Sequence, residues 1–370
     1  MPSLFSRWRS FGSVCEWFRP RVFVFLVEYR TYPRAALSVS ASALIPIKLV
    51  SVGRTMTLRL DENKLPYIDL GKDVQLRLDF TEYSDKKSLD KAQDELRETP
   101  EVVESALREL RVPLSADKDI KVPIEDDAFL KKFLRPRKYY PESAYELLKS
   151  YHKMKTKKDF VLDNITTDAI RIALEERVVQ LLPNRDAQGR RMIFLEMGGK
   201  WNCSKVPFTE MIRATHALLT IASLEPLTQL NGLIYIVNFD KMKLSQLGQF
   251  SPKFVKHSLD YGQKSASMRV KAIHIINNAK VFDMLFMIFK PFIGKKWSQR
   301  IFFHGNNMGS LHKHVDQACL PTSLEGSCEY PEMDGKVLVE FLEHYQDKYD
   351  ALNSYGYFDK TKEAESQPSD

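Results

Sequence analysis

The sequence contains few cysteines and none of the familiar motifs for nucleotide binding or hydrolysis. Its four cysteines are far apart and form no CxxC pair, which argues against a disulfide framework or a zinc site and favours a reducing compartment. The motifs GxSxG, HExxH, GxGxxG and GxxxxGK(S/T) are absent. His312 and His314 could share a metal with Cys319, but histidines at this spacing on a surface helix are more often solvated. We therefore predict no catalytic residues, no metal site and no cofactor.

The strongly apolar segment at residues 281–293 is too short to cross a bilayer. Only Asp283 and Lys290 interrupt its apolar residues, and a membrane span requires roughly 20 of them. As a helix, this segment would have no polar face wide enough to meet water. It must therefore be covered by protein, or must itself cover something.

Excess positive charge is concentrated at the N-terminus. The formal net charge is +7, but residues 1–55 contribute +6, through seven Arg and one Lys against Glu16 and Glu28. The rest of the chain carries only +1, so its basicity does not indicate nucleic acid, and we predict no such partner. The hydrophobic fraction of 44% and the charged fraction of 28% are typical of a soluble globular protein.

Residues 1–55 also differ from the rest in being rich in Arg, Ser and aromatic residues, without a sustained amphipathic period. We predict a disordered or spurious leader, with Met56 as a plausible natural start. A mitochondrial targeting segment is the alternative, because such segments are Arg-rich, Ser-rich and poor in acids. Residues 56–87 are predicted to form an extended N-terminal segment.

A small helical module is predicted at residues 88–160. Apolar residues recur there at steps of three and four, and Pro100, Pro113 and Pro123 are predicted to break the region into short helices. Pro141 is well placed for the first turn of a further helix. Residues 131–158 contain ten Lys or Arg against two Glu, a local balance of +8. Either a solvated helix face or a surface for anions explains this run.

From residue 166 onward, strand and helix patterns alternate. Such alternation predicts an α/β domain with a mostly parallel sheet flanked by helices, which we place at residues 166–340. A C-terminal helix and an acidic disordered tail are predicted at residues 341–370. The predicted strands are 191–197, 233–239, 270–276 and 300–304, and the predicted helices are 207–224, 244–263 and 281–293.

Four blocks of the sequence, in order, resemble a known family. They are FLRPRKYYPESAYELLKSY, RDAQGRRMIFLEMGGKWN, VNFDKMKLSQLGQFSP and MRVKAIHIINNAKVFDMLFMIFKPFIGKKWSQRIFFHGNN. The resemblance is to the CRAL-TRIO (Sec14-like) lipid-binding family, and within it to the subgroup of α-tocopherol transfer protein, retinaldehyde-binding protein and the clavesins. It extends over residues 88–340. It implies a Sec14-like CRAL-TRIO domain preceded by a small all-α CRAL-TRIO N-terminal module.

The resemblance also implies a hydrophobic pocket closed by a mobile apolar helix, the gate, at residues 281–293. Without the family, an ordinary core helix is the simpler interpretation of this segment. Its aromatic and Met side chains suit many apolar shapes, so a tocopherol, a retinoid, a sterol or a phospholipid remains open as the ligand. The residues assigned to the pocket and gate are Phe282, Leu285, Phe286, Phe289, Phe292 and Ile293.

A phosphoinositide-binding cleft beside the gate is implied in the same way. Residues 264–300 carry eight Lys or Arg against Asp283 alone, as a phosphate site requires. The sequence departs from the family pattern at Pro136, which would end or bend a helix, and at residues 324–326. The residues assigned to the cleft are Arg137, Arg269, Lys271, Lys296 and Arg300.

Together these features predict a soluble, non-enzymatic lipid-transfer protein. It would bind a hydrophobic small molecule and release or exchange it at phosphoinositide-containing membranes. Its predicted location is the cytoplasm, with peripheral association with endosomal or other phosphoinositide-bearing membranes. The alternative is a membrane-tethered lipid-sensing interaction module without transfer activity.

Overall fold

The computed structural model describes residues 56–155, 157, 165–278 and 280–357. The predicted leader at residues 1–55 and the predicted acidic tail beyond residue 357 lie outside the described residues. All the described residues belong to the compact unit Gly53–Asp370. Within the described ranges, every helix is too short or too polar to span a bilayer.

The segment predicted to be extended, residues 56–87, forms a small antiparallel sheet. Its three strands are neighbours in the order of the sequence. Ile68 and Leu76 pair across two of these strands and are fully buried, so one face of the sheet joins the main core. The strands are β1 (Thr57–Leu60), β2 (Pro66–Asp69) and β3 (Gln75–Arg77).

The helices of the predicted N-terminal module begin at capping residues that are visible in the sequence. Asp85, Thr99 and Asp126 each accept a hydrogen bond from a backbone N–H three residues later. This satisfies one of the unpaired N–H groups at the start of each helix. The elements are α1 (Lys86–Leu96), α2 (Pro100–Ala116), β4 (Ile120–Lys121), α3 (Asp127–Leu134) and α4 (Pro141–Lys155).

Two prolines act differently on these helices. Pro113 was predicted to break a helix, but this prediction is wrong, because Pro113 lies inside the last part of α2, which continues to Ala116. Because Pro113 lies close to the C-terminus of α2, its missing N–H removes only one hydrogen bond of the helix. Pro136 has the predicted effect: α3 ends at Leu134 and a 3₁₀ turn, Arg135–Arg137, follows.

A five-stranded sheet forms the centre of the larger domain, in the order β5-β6-β7-β8-β9. Strands β6 to β9 are parallel, as predicted, and β5 is antiparallel to β6. The sequence analysis missed β5, which has only three residues. The strands are β5 (Val179–Leu181), β6 (Arg191–Glu196), β7 (Leu233–Asn238), β8 (Val270–Ile276) and β9 (Ile301–Gly305).

Helices cover both faces of this sheet, which confirms the α/β class. The helix predicted at residues 244–263 is divided into a 3₁₀ turn (Leu244–Gln249), a helix and a π-helical turn (Tyr261–Ser265). The helices are α5 (Thr167–Glu175), α6 (Phe208–Ala222), α7 (Pro226–Asn231), α8 (Pro252–Asp260), α9 (Lys280–Phe289), α10 (Lys295–Ser298) and α11 (Met308–His312).

The C-terminal elements return to the N-terminal part of the chain. A helix packs against α5 and against β1 and β2, and the last strand pairs with β4 in antiparallel register. The predicted domain boundary at residue 340 falls inside the first of these helices. The elements are α12 (Gly335–Glu343), α13 (Gln346–Asn353) and β10 (Gly356–Tyr357).

Candidate functional site: an apolar cavity beside a basic cluster

A cavity of about 210 Å³ lies between one face of the main sheet and the helices that cover it. Helix α6, helix α8, the π-helical turn and helix α9 form its walls. Nearly all the lining side chains are aliphatic, aromatic or Met, so the cavity suits an apolar ligand. The sheet contributes Leu195, Tyr235, Val237, Ile273, Ile275 and Ile301.

Helix α9 closes the cavity with the inner face of the predicted gate. Phe282 and Leu285 are buried, and the ring of Phe282 lies 4.8 Å from that of Phe239 on the opposite wall. Phe292 packs against the core without lining the cavity. The predicted gate residues that line it are Phe282, Leu285, Phe286, Phe289 and Ile293.

The outer face of α9 is exposed. Met284 and Met287 expose 47% and 66% of their surface, and Asp283 and Lys290 lie on the same side. The helix is therefore covered on one side only, where Phe282 and Leu285 belong to the main core. The α-helix also ends earlier than predicted: residues Lys290–Phe292 form a 3₁₀ turn, which contains Pro291.

A glutamine fixes the C-terminal end of the gate. The Gln263 side chain donates to the carbonyl of Phe292 at 2.9 Å and accepts from the N–H of Gly294 at 2.7 Å. The indole of Trp297 packs directly on Gly262, where an added Cβ would lie 2.7 Å from the ring. The π-helical turn therefore contacts Phe292 and Gly294 through Gln263, and Trp297 through Gly262. Sequence reasoning missed Gln263, because nothing in its local pattern distinguishes it.

Two of the five predicted head-group cations pair with one carboxylate, and a third contacts the backbone beside them. Arg269 and Lys271 form ion pairs with Glu95 at 3.2 and 3.1 Å, and Arg300 donates to the Val270 carbonyl at 2.7 Å. We call Arg269, Lys271 and Arg300 the basic cluster. Burial lowers the pKa of Arg269, and the charge of Arg300 contributes to this shift, so the two guanidinium groups are close neighbours. Glu95 was not predicted, because it lies on α1, far from the cluster in sequence.

The other two predicted cations contribute no ion pair to this cluster. Arg137 donates to the Lys264 carbonyl at 3.2 Å, and partial burial lowers its pKa. Lys296 is exposed on α10, beside the cavity-lining Trp297. Arg137 thus lies on the 3₁₀ turn after α3, and Lys296 lies on the short helix that follows the gate.

The basic run at residues 131–158 is only partly a solvated face, because some of its cations are buried. Arg135 is buried and forms ion pairs with Glu98 at 2.8 Å and Glu82 at 2.6 Å. It also donates to Gln229, so it joins the helical module to α7. Lys132 and Lys155 are buried as well. Three of the ten Lys and Arg side chains in this run are therefore buried.

The histidines weighed as metal ligands have other contacts. The Nε2 atom of His312 lies 3.1 Å from the Leu324 carbonyl, and its Nδ1 atom lies 2.9 Å from the Gln317 amide. The exposed His314 packs against the ring of Phe302. In the described part of the chain, no group of three or more His, Cys, Asp or Glu side chains is placed to hold a metal ion.

Comparisons with known proteins agree with this architecture. The family model for the CRAL/TRIO domain matches residues 175–326. Clavesin-1 of Rattus norvegicus is 31% identical over 242 residues, which are 65% of this chain and 68% of that protein. Alpha-tocopherol transfer protein-like of Homo sapiens is 31% identical over 237 residues, 64% and 69% of the two chains. Clavesin-2 of Homo sapiens is 28% identical over 285 residues, 76% and 86% of the two chains.

Proposed function

The chain belongs to the CRAL/TRIO lipid-binding family, and we propose on that premise that it is a carrier that holds one hydrophobic small molecule in the apolar cavity. It releases or exchanges this cargo at membranes that contain phosphoinositides, and it catalyses no reaction. It acts in the cytoplasm, with peripheral contact to endosomal or other phosphoinositide-bearing membranes.

The observation that carries this proposal is the two-sided environment of α9. Its inner face closes the cavity through Phe282, Leu285 and Phe286, whereas its outer face exposes Met284 and Met287. Exposed apolar groups on a helix are stabilised at the boundary between head groups and acyl chains. A helix that covers cargo on one side and presents methionines on the other is suited to open when it meets a bilayer.

The basic cluster supports the phosphoinositide part of the proposal. Two guanidinium groups and one ammonium group are the donors that phosphate oxygens require. Arg300 immediately precedes β9, close in sequence to α10 and the end of the gate. Binding of a head group to the basic cluster would therefore affect the conformation of the segment that contains Lys296 and Trp297. Trp297 in turn lines the cavity.

Transfer of a fluorescent tocopherol, retinoid or sterol between donor and acceptor vesicles tests the carrier function. We expect catalytic transfer, faster when the acceptors contain a phosphatidylinositol bisphosphate. Binding of the lipid without transfer would favour the alternative, a membrane-tethered lipid-sensing module. Chemical conversion of the lipid by the purified protein would instead contradict the absence of catalysis.

The double variant Lys271→Ala/Arg300→Ala tests the head-group site. Each cation near an anionic surface contributes on the order of 1 kcal/mol, so binding to vesicles with a phosphatidylinositol bisphosphate should weaken by about 30-fold. Binding of the fluorescent cargo should be unchanged. Lys313→Ala is the matched control, because Lys313 is exposed at the end of α11, outside the cluster. Unchanged vesicle binding by the double variant would rule out this site.

A further inference from the structure

One lysine is buried without a partner for its charge among the residues that the structure describes. Lys132 on α3 is only 1% exposed, and its Nζ atom has no hydrogen-bond partner in the described part of the chain. Its nearest favourable contacts are weak ones, with the faces of Tyr151 at 5.3 Å and Phe133 at 5.7 Å. Burying an ammonium group without an acceptor is costly, so an acceptor from outside the chain would stabilise this position.

The groups around Lys132 add positive charge or none. Burial, followed by the charge of Lys155, lowers the pKa of Lys132 to about 7. Both lysines act on His152 and on His216, whose pKa values are lowered to about 3, mainly by burial. Lys132 forms no salt bridge with any carboxylate among the described residues. Among the described residues, this part of the interior therefore forms a positive end without a resident counter-charge.

This positive end adjoins the cargo cavity. Lys132 lines a chamber of about 10 Å³, roughly the space for one water molecule, together with polar side chains. Those polar groups belong to Tyr151, Thr220, Ser223 and Ser267. Four side chains line both the chamber and the larger cavity, and they form the partition between the two: Leu219, Tyr261, Ala266 and Met268.

The chamber lies at a different wall from the gate. Its partition belongs to α6, the π-helical turn and the residues just after it, whereas α9 closes the cavity elsewhere. On the same wall, Thr215 and His216 of α6 are among the lining residues, and the Nδ1 atom of His216 is buried with no hydrogen-bond partner among the described residues. The cavity lining itself is almost entirely apolar, and the polar groups of the chamber lie just behind this wall.

We propose that the cargo is a monocarboxylic lipid, that its carboxylate lies against this wall, and that Lys132 is the counter-ion. The inference rests on the proposed carrier function and specifies the class of cargo. An alcohol or an ester of the same chain would fill the apolar cavity equally well but would offer Lys132 no negative charge. Leu219 and Met268 are flexible side chains, so a small rotation of either would join the chamber to the cavity.

A matched pair of ligands tests this inference. Fluorescent parinaric acid and its methyl ester share one polyene chain and differ only in the charge of the head. We expect the wild-type protein to bind the acid at least about tenfold more tightly than the ester, because a hydrogen bond to a charged group is worth roughly 1.5–3 kcal/mol. Lys132→Met should bind acid and ester about equally, with the affinity for the ester unchanged. Lys132→Arg, which retains the charge, should keep most of the preference.

The possible outcomes separate the inference from the function on which it rests. If the wild-type protein binds neither ligand, the carboxylate inference is wrong, and transfer of a tocopherol, retinoid or sterol between vesicles then decides the carrier function. If it binds both equally, the carrier function stands and the carboxylate inference is wrong. A preference that persists in Lys132→Met would show that another group is the counter-ion, which also overturns the inference.

A spectroscopic measurement on the wild-type protein decides the question even if Lys132→Met does not fold. The carboxyl carbon-13 resonance of a labelled fatty acid reports its protonation state when bound. Beside an ammonium group, the bound acid should stay ionised below the ordinary carboxyl pKa of about 4.5. A bound carboxyl that protonates at or above that pH would rule out the pairing with Lys132.

Discussion

At the scale of single residues, Glu95 determines how much of the basic cluster is available to a phosphate. Its carboxylate is shared between Arg269 and Lys271. Partial burial acts to raise the pKa of Glu95, but hydrogen bonds and charge from Lys271 and Arg269 outweigh it, so the pKa is lowered. Glu95 is therefore ionised at neutral pH, and an arriving phosphate has to compete with it for the same donors.

Replacing Glu95 by Gln should strengthen membrane binding. The change removes a competing charge from a partly exposed site, where an ion pair is worth up to about 1 kcal/mol, so the affinity for phosphatidylinositol bisphosphate vesicles should rise by up to about fivefold. Asp94→Asn is the matched control: it makes the same change in net charge on the same helix, at an exposed residue outside the cluster. Equal gains in both variants would show that only overall charge matters.

The ion pair between Arg135 and Glu98 should contribute strongly to stability. Burial alone would raise the pKa of Glu98, but Arg135 provides hydrogen bonds and charge that lower it below its ordinary value of 4.5. The carboxylate therefore contributes stability above about pH 4.5, and this contribution is lost as the pH falls through the lowered pKa. Arg135→Met leaves Glu98 in place without its partner.

We expect Arg135→Met to lower the free energy of unfolding by about 3–5 kcal/mol at pH 7, as measured by denaturant titration. In the double variant Arg135→Met/Glu98→Gln, where no buried charge is left alone, much of this loss should be recovered. A single variant as stable as the wild type would contradict the assignment of Arg135 as the residue that joins the helical module to α7.

Sequence patterns identified the residue types of the site but not all of their partners. The FLRPR block led to Arg137, yet the adjacent Arg135 has the larger set of buried contacts. Lys132 and Lys131 are identical in type and adjacent in sequence, but Lys132 is buried and Lys131 pairs with Glu82 near the surface. Which direction a side chain takes depends on the packing of α3 against its neighbours, and composition does not contain that information.

At the scale of elements, the strongest periodic signals located the parallel strands and the longer helices. Strand β8 has the predicted bounds, because its apolar run is limited by polar residues on both sides. Strand β5 was missed because three residues do not establish an alternating pattern. A helix was predicted at residues 281–293, but α9 ends at Phe289, and the contacts of Gln263 with the following residues involve a turn distant in sequence.

The attachment of the gate predicts a kinetic effect for Gln263→Ala. The substitution removes two hydrogen bonds that hold Phe292 and Gly294, each worth about 1 kcal/mol. The gate should then open more often, and the dissociation rate of a fluorescent cargo, measured by stopped flow, should rise by about fivefold or more. Gln299→Ala provides the control, since Gln299 is an exposed glutamine just after α10. An unchanged dissociation rate would show that the contacts of Gln263 do not hold the gate closed and that the gate opens elsewhere.

At the scale of the whole molecule, the proposed membrane binding would have two independent contributions, charge and apolar exposure. Residues 264–300 carry an excess of +7, whereas in the other basic segment, residues 131–158, several charges are buried or paired. The exposed cationic surface is therefore concentrated near the gate in sequence. The second contribution is the outer face of α9, whose methionines need no counter-charge.

Ionic strength separates these two contributions. Salt shortens the range of charge interactions from about 10 Å at 0.1 M to about 3 Å at 1 M but leaves apolar burial intact. Vesicle binding by the wild-type protein should therefore fall with added salt to a residual level that reports α9. Met284→Gln/Met287→Gln should lower binding by about fivefold or more at every salt concentration with an unchanged salt slope, because two partly exposed methionines lose their burial in the membrane.

Lys271→Ala/Arg300→Ala should have the opposite effect. Its vesicle binding should depend less steeply on salt, and the residual binding at high salt should be unchanged. Val112→Gln controls for the loss of an exposed apolar side chain, since Val112 is 68% exposed on α2, outside the gate. If the methionine variant altered the slope, or if Val112→Gln weakened binding equally, the outer face of α9 would not be the membrane contact. The gate and the basic cluster then could not act together, because head-group binding would leave α9 away from the bilayer.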